Sequence, residues 1–158
     1  MKKFLTTTFI AALLAITSAA IAAPAADPVI GSWKLNVANS KFMPGPALKS
    51  QMRTYSQSAK GITLAVKTVA ADGKEMSTSV TYMTDGKDYP VADVPDYDSI
   101  SAKQVDANTA EFTFKKGGKV IGTGNRMVSK DGKTLTSVQK GTNVKGEKYD
   151  NTFVLDKQ

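Results

Sequence analysis

The chain has 158 residues, with no cysteine and no histidine, and 21 basic against 14 acidic side chains give it a formal net charge of +7. Those two missing residue types exclude disulfides, thiolate chemistry, the usual zinc sites and every histidine-based triad. The basic residues are 19 lysines and only two arginines, Arg53 and Arg126. Nine of the lysines fall at expected turn tips, where they keep strand edges apart and solvated. A reader of nucleic acid would instead carry arginines with interleaved exposed aromatics on one surface, so no nucleic-acid partner is expected.

In chain order, Lys2 and Lys3 precede an apolar run over residues 4–16, and small residues follow through Ala23. That order is a secretory signal peptide, with cleavage expected after Ala20-Ile21-Ala22. A run of about a dozen apolar residues is too short to span a bilayer, and no later stretch exceeds it, so no transmembrane helix is expected. Residues 1–22 are thus read as the signal, 23–29 as a disordered Ala/Pro-rich leader and 30–158 as a single domain. The expected destination is the periplasm or the medium. An outer-membrane barrel would require an apolar lipid-facing band and aromatic girdles, whereas the aromatics here are few and scattered.

The remainder reads as strands punctuated by turns. Gly-containing turn signals stand at Lys60-Gly61, Asp72-Gly73, Asp85-Gly86, Gly117-Gly118, Asp131-Gly132 and Lys145-Gly146. Asp tolerates positive φ and Gly favours it, which suits hairpins. Between these signals ten strands are expected, near 30–36, 49–57, 62–70, 75–83, 87–91, 99–105, 109–115, 120–129, 134–140 and 148–155. Alternation marks several of them. Ile62, Leu64 and Val66 share one face, as do Ala110, Phe112 and Phe114, and Met76, Val80 and Tyr82. One apolar and one polar face is the antiparallel pattern. Segments 37–48 and 92–98, both containing proline, read as loops within the domain. Regular short spacing predicts an all-β fold, an antiparallel up-and-down barrel of about eight to ten strands, with a two-sheet sandwich as the alternative.

The first of these strands, Ile30-Gly31-Ser32-Trp33-Lys34-Leu35, carries a Gly-x-Trp that resembles the lipocalin and fatty-acid-binding superfamily. The resemblance implies an up-and-down barrel with Trp33 closing one end. Lys87-Asp88-Tyr89-Pro90-Val91 and Gly118-Lys119-Val120 resemble stretches of small exported bacterial proteins described as lipocalin-like. The chain departs from the superfamily in places. Asp96-Tyr97-Asp98 stands nearest to the lipocalin Thr-Asp-Tyr motif, and Arg126 lies far from the C-terminus. Residues 37–48 are too few for the two helices of intracellular fatty-acid-binding proteins, and Asn151-Thr152-Phe153 lacks their Arg-x-Tyr.

Candidate chemistry is sparse. Asp72, Asp85, Asp106 and Asp131 sit where turn geometry wants a short acceptor, and Glu75, Glu111 and Glu147 stand alone on wet faces. No nucleophile, base and orienting group fall at a telling spacing, so a non-enzymatic protein without cofactor is expected. Asp85, Asp88, Asp93, Asp96 and Asp98 could in principle ligate Ca²⁺, but they match no EF-hand spacing and read as an exposed acidic loop. Tyr55, Tyr82, Phe112, Phe114, Tyr149 and Phe153 could line a cavity or fill a core. Small or polar residues read as inward, namely Thr54, Ser56, Ala65, Thr78, Gly122 and Gly124, would leave space.

The arginines carry the sharper expectation. Both fall mid-strand, Arg53 sharing a face with Tyr55 and Arg126 a face with Gly122 and Gly124. A planar guanidinium suits a carboxylate and stays charged when partly buried. Arg126, with Arg53 and Tyr55, is therefore a candidate anchor for an anionic head group, and Tyr82 and Trp33 complete the candidate ligand site. The structural alternative stacks Arg126 on Trp33 and leaves Arg53 facing solvent. The expected function is binding of a small, partly apolar ligand inside the barrel by an exported protein, an anionic head group being the option that the arginines add. The alternative is a protein-interaction or envelope structural module with a solidly packed barrel.

Overall fold

A computed structural model describes residues 27–158, so the expected signal peptide and residues 23–26 of the leader lie outside the described residues. Ten strands follow one another: β1 (Gly31–Leu35), β2 (Ser50–Ser58), β3 (Gly61–Val69), β4 (Glu75–Tyr82), β5 (Asp85–Pro90), β6 (Ser99–Gln104), β7 (Thr109–Lys116), β8 (Lys119–Val128), β9 (Thr134–Thr142) and β10 (Lys148–Lys157). They form one sheet in the order β4-β3-β2-β1-β10-β9-β8-β7-β6-β5. Every neighbouring pair is antiparallel, and β1 closes onto β10 with Trp33 opposite Lys157. A single sheet with this order is an up-and-down barrel and rules out the two-sheet sandwich. Its one seam lies between β4 and β5, which are sequential in the chain yet unpaired in the ladder.

Local chemistry sets the turns. Asp72 Oδ1 accepts the Lys74 amide at 2.9 Å, and Asp131 Oδ1 accepts that of Lys133 at 3.1 Å. Such bonds to the charged form hold Asp131 and Asp106 below the ordinary carboxylate pKa; the first cause is the Ser129 hydroxyl for Asp131 and the Asn108 amide for Asp106. Asp85-Gly86 departs from expectation. It lies within β5, where the register slips between Asp85 and Asp88 and Gly86 takes φ +79°. A bulge and a hairpin turn both recruit Gly at positive φ, so the dipeptide alone does not separate them.

The long connection after β1 has a structural task. β1 is too short to cover the whole of β10, and the loop takes over its edge: Lys41 and Thr152 exchange backbone bonds of 2.8 and 2.7 Å, and the Asp150 amide reaches the Met43 carbonyl at 2.8 Å. Phe42 then packs edge-on against Phe153, with ring centroids 5.3 Å apart.

Inside the barrel Trp33, Leu35, Leu135 and Leu155 are buried together in the core. The face assignments need two corrections. Thr54, Ser56 and Ala65 are exposed on the outer surface, because Arg53 and Tyr55 take the inward positions of β2. The folded domain also begins before Ile30. Val29 is fully buried, its carbonyl accepts the Trp33 indole N–H at 2.7 Å, and Asp27 reaches a barrel side chain. The end of the expected disordered leader is thus part of the base of the barrel.

Candidate functional site

β2 carries Arg53 and Tyr55 inward, β4 carries Val80 and Tyr82, β7 carries Phe112 and Phe114, and β8 carries Arg126. These side chains converge on an interior cavity of about 60 Å³, which Tyr97 and Gln139 also line. Its two charged lining residues are both arginines.

Arg126 is 3 % exposed. Its Nη2 donates to Asp27 Oδ2 at 2.5 Å, and its guanidinium carbon lies 5.6 Å from the centre of the Tyr55 ring. Its Nε and Nη1 have no hydrogen-bond partner among the described residues. Arg53 is also buried; its Nε donates to Gln51 Oε1 at 2.7 Å, and the Gln51 amide in turn donates to Thr68 Oγ1 at 3.0 Å. The Arg53 guanidinium lies over the Phe153 ring at 4.5 Å and makes no ion pair among the described residues. The alternative in which Arg53 faces solvent is therefore excluded: residue 53 has the inward parity of β2.

The third polar group is the Tyr82 hydroxyl, buried and likewise without a partner. Burial pushes its pKa well above the usual phenol value of 10.0, and the nearby Arg126 charge opposes that shift only in part. Tyr82 is thus a neutral phenol, able to donate. A buried unmade hydrogen bond costs about 1–3 kcal/mol, whereas an apolar group of the same shape there costs nothing comparable. Tyr82→Phe should therefore raise stability by about 1–2 kcal/mol in urea unfolding. A phenol whose folded pKa is raised contributes stability below the unfolded value of 10.0 that is lost as pH rises above it. The same variant should accordingly resist alkaline unfolding better than the parent. A loss of stability would mean that the hydroxyl is bonded in the folded state.

Four of the five expected site residues, Arg53, Tyr55, Tyr82 and Arg126, line this one cavity. Trp33 does not: it lies in the closed core, and the cation over its ring is Lys157, at 4.9 Å, in place of Arg126. The room expected beside Gly122 and Gly124 is found in part, since Gly124 lines the cavity and Gly122 does not. A Cβ on Gly122 would meet the Tyr149 hydroxyl at 2.7 Å, and one on Gly124 would approach Phe114 at 3.2 Å. Asp27, Gln51 and Tyr97 were not singled out. Only Gln51 had a legible signal, since it shares the inward parity of Arg53.

Above the cavity, on the rim formed by the β1–β2, β5–β6 and β9–β10 connections, lies a wider recess of about 550 Å³. Phe42, Leu48, Tyr149 and Phe153 give it apolar walls. Tyr97 and Gln139 line both spaces and so stand at the boundary between them. Tyr97 leans on Phe114 with centroids 5.0 Å apart. The acidic stretch is tied into this rim: Asp96 Oδ1 accepts the Val144 amide, Asp98 Oδ2 accepts that of Gly117, and Asp88 pairs with Lys115. Among the described residues no group of three or more acids is placed to hold a metal ion.

No family model and no curated protein matches the chain. Among solved structures, it is similar to the zebrafish ileal bile acid-binding protein complexed with cholic acid, at 8 % identity and a TM-score of 0.49, over 83 % of this chain and 98 % of that one. It is also similar to the siderocalin Ex-FABP, at 10 % identity and a TM-score of 0.40, over 83 % of this chain and 74 % of that one. The fold itself is a ten-stranded antiparallel up-and-down barrel.

Proposed function

We propose that this protein, acting after export in the periplasm or medium, binds a small ligand by its anionic head. The head enters the interior cavity beside Arg126, Arg53 and Tyr82, and the apolar remainder lies in the recess walled by Phe42, Leu48 and Phe153. The observation that carries this reading is the pair of unpartnered, buried donors Nε and Nη1 of Arg126, with the Tyr82 hydroxyl at the same cavity. Buried donors are paired in the great majority of native proteins, so donors held open around one space point to an acceptor that arrives from outside. The cavity volume of about 60 Å³ suits a carboxylate or a few waters, far short of the ~300–1,000 Å³ of pockets that enclose a whole drug-sized ligand.

Calorimetric titration with decanoate tests the reading. Binding to the parent chain is expected, weakened about a hundredfold by Arg126→Gln, as befits loss of a charge-assisted bond of about 1.5–3 kcal/mol. Binding unchanged in Arg126→Gln would remove the arginine from the site. The same small volume favours a second reading, a solidly packed barrel whose outer surface does the work. It takes over if decanoate does not bind and native mass spectrometry of protein from its own host gives only the bare chain mass.

A further inference from the structure

Resting on that reading, the charges around the cavity also define the class of its ligand: we infer that it is a monoanion, and that Asp27 sets this selectivity. The cavity lining supplies two positive charges, Arg53 and Arg126, and no carboxylate. The other titratable groups lining it are the phenols of Tyr55, Tyr82 and Tyr97. Asp27 approaches from the base and pairs with Arg126 Nη2, which leaves one net positive charge within the site. A single negative charge neutralises that remainder. A second would stand unpaired in the interior, where an unmatched charge is costly.

Asp27 is held in this role by its neighbours. Its Oδ1 accepts the Val29 amide at 2.9 Å, and its backbone carbonyl accepts the Ile30 amide at 2.9 Å. Val29 itself is buried and joined to the Trp33 indole at 2.7 Å. The carboxylate therefore cannot swing aside without undoing the base of the barrel. It acts as a fixed counter-ion, and Arg126 keeps Nε and Nη1 for the ligand. Asp27 is thus a specificity-determining residue that need not touch the ligand.

The test uses the full chain and three ten-carbon probes, decanoate, decanesulfonate and decyl phosphate, below their micellar concentrations at pH 5 and pH 8. The phosphate loses its second proton near pH 6, whereas the sulfonate is a monoanion throughout. Decyl phosphate should bind about tenfold more weakly than decanesulfonate at pH 8 and draw level at pH 5, a difference set by one extra charge in a partly buried site. Taking the ratio to the sulfonate removes any titration of the protein itself. Asp27→Asn should erase the discrimination at pH 8, and Asp27→Glu should keep it. Equal binding of phosphate and sulfonate at pH 8, or the same ratio at both pH values, overturns the monoanion inference while the ligand site stands. Failure of all three probes to bind the parent chain overturns the site itself. Should Asp27→Asn fail to fold, the two-pH comparison on the parent chain decides alone.

Discussion

Trp33→Ala should cost about 3–5 kcal/mol of folding stability, as large aromatic truncations in closed cores do. Three links are lost together. The indole is fully buried, its N–H holds the Val29 carbonyl at 2.7 Å, and its ring carries the Lys157 ammonium at 4.9 Å. In register, Trp33 also stands between Arg53 on β2 and Lys157 on β10, where the first and last strands pair to close the barrel. Trp33→Phe keeps most of the packing but strands the Val29 carbonyl, and should cost only about 1–3 kcal/mol. Urea unfolding of both variants checks the order. A loss below 1 kcal/mol for Trp33→Ala would mean that the base of the barrel does not depend on this contact.

The strand pattern was legible because alternation and turn chemistry are local. Ile62, Leu64 and Val66 fall on the inner side of β3 as their spacing predicts, and the Asp72-Gly73 and Asp131-Gly132 turns stand where they were read. Arg53, Tyr55, Tyr82 and Arg126 were legible as a group for the same reason, since inward parity in a closed meander can only point to the interior. What failed depends on distance. Residues 53, 54, 55 and 56 cannot all face inward, and only the closed sheet decides which two do. Gly122 and Gly124, on the same face of β8 as Arg126, suggested room, but Tyr149, on another strand, brings its hydroxyl over Gly122. Asp27 lies 99 residues from Arg126, in a segment whose composition reads as leader, so nothing local marks the pair.

That ion pair yields the second large effect. Asp27→Ala should destabilise the fold by about 3–5 kcal/mol, the usual result of stripping one partner from a buried pair. The reason lies in what remains. Arg126, only 3 % exposed, already has two donors without partners, and the substitution would leave it with no hydrogen-bond or carboxylate partner among the described residues. Adding Arg126→Met to Asp27→Ala removes the stranded charge while keeping an unbranched apolar side chain, so the double variant should recover most of the loss. Arg126→Met alone should fall between them. It abandons the Asp27 carboxylate, whose side chain is 14 % exposed and partly hydrated, but it also relieves two buried unmade bonds. A double-mutant cycle by urea unfolding should thus give a coupling of about 2–3 kcal/mol between residues 27 and 126. Additive losses would break the argument at its root, because they would mean that Asp27 stabilises the base through the Val29 turn alone and that Arg126 is neutralised by something other than this carboxylate.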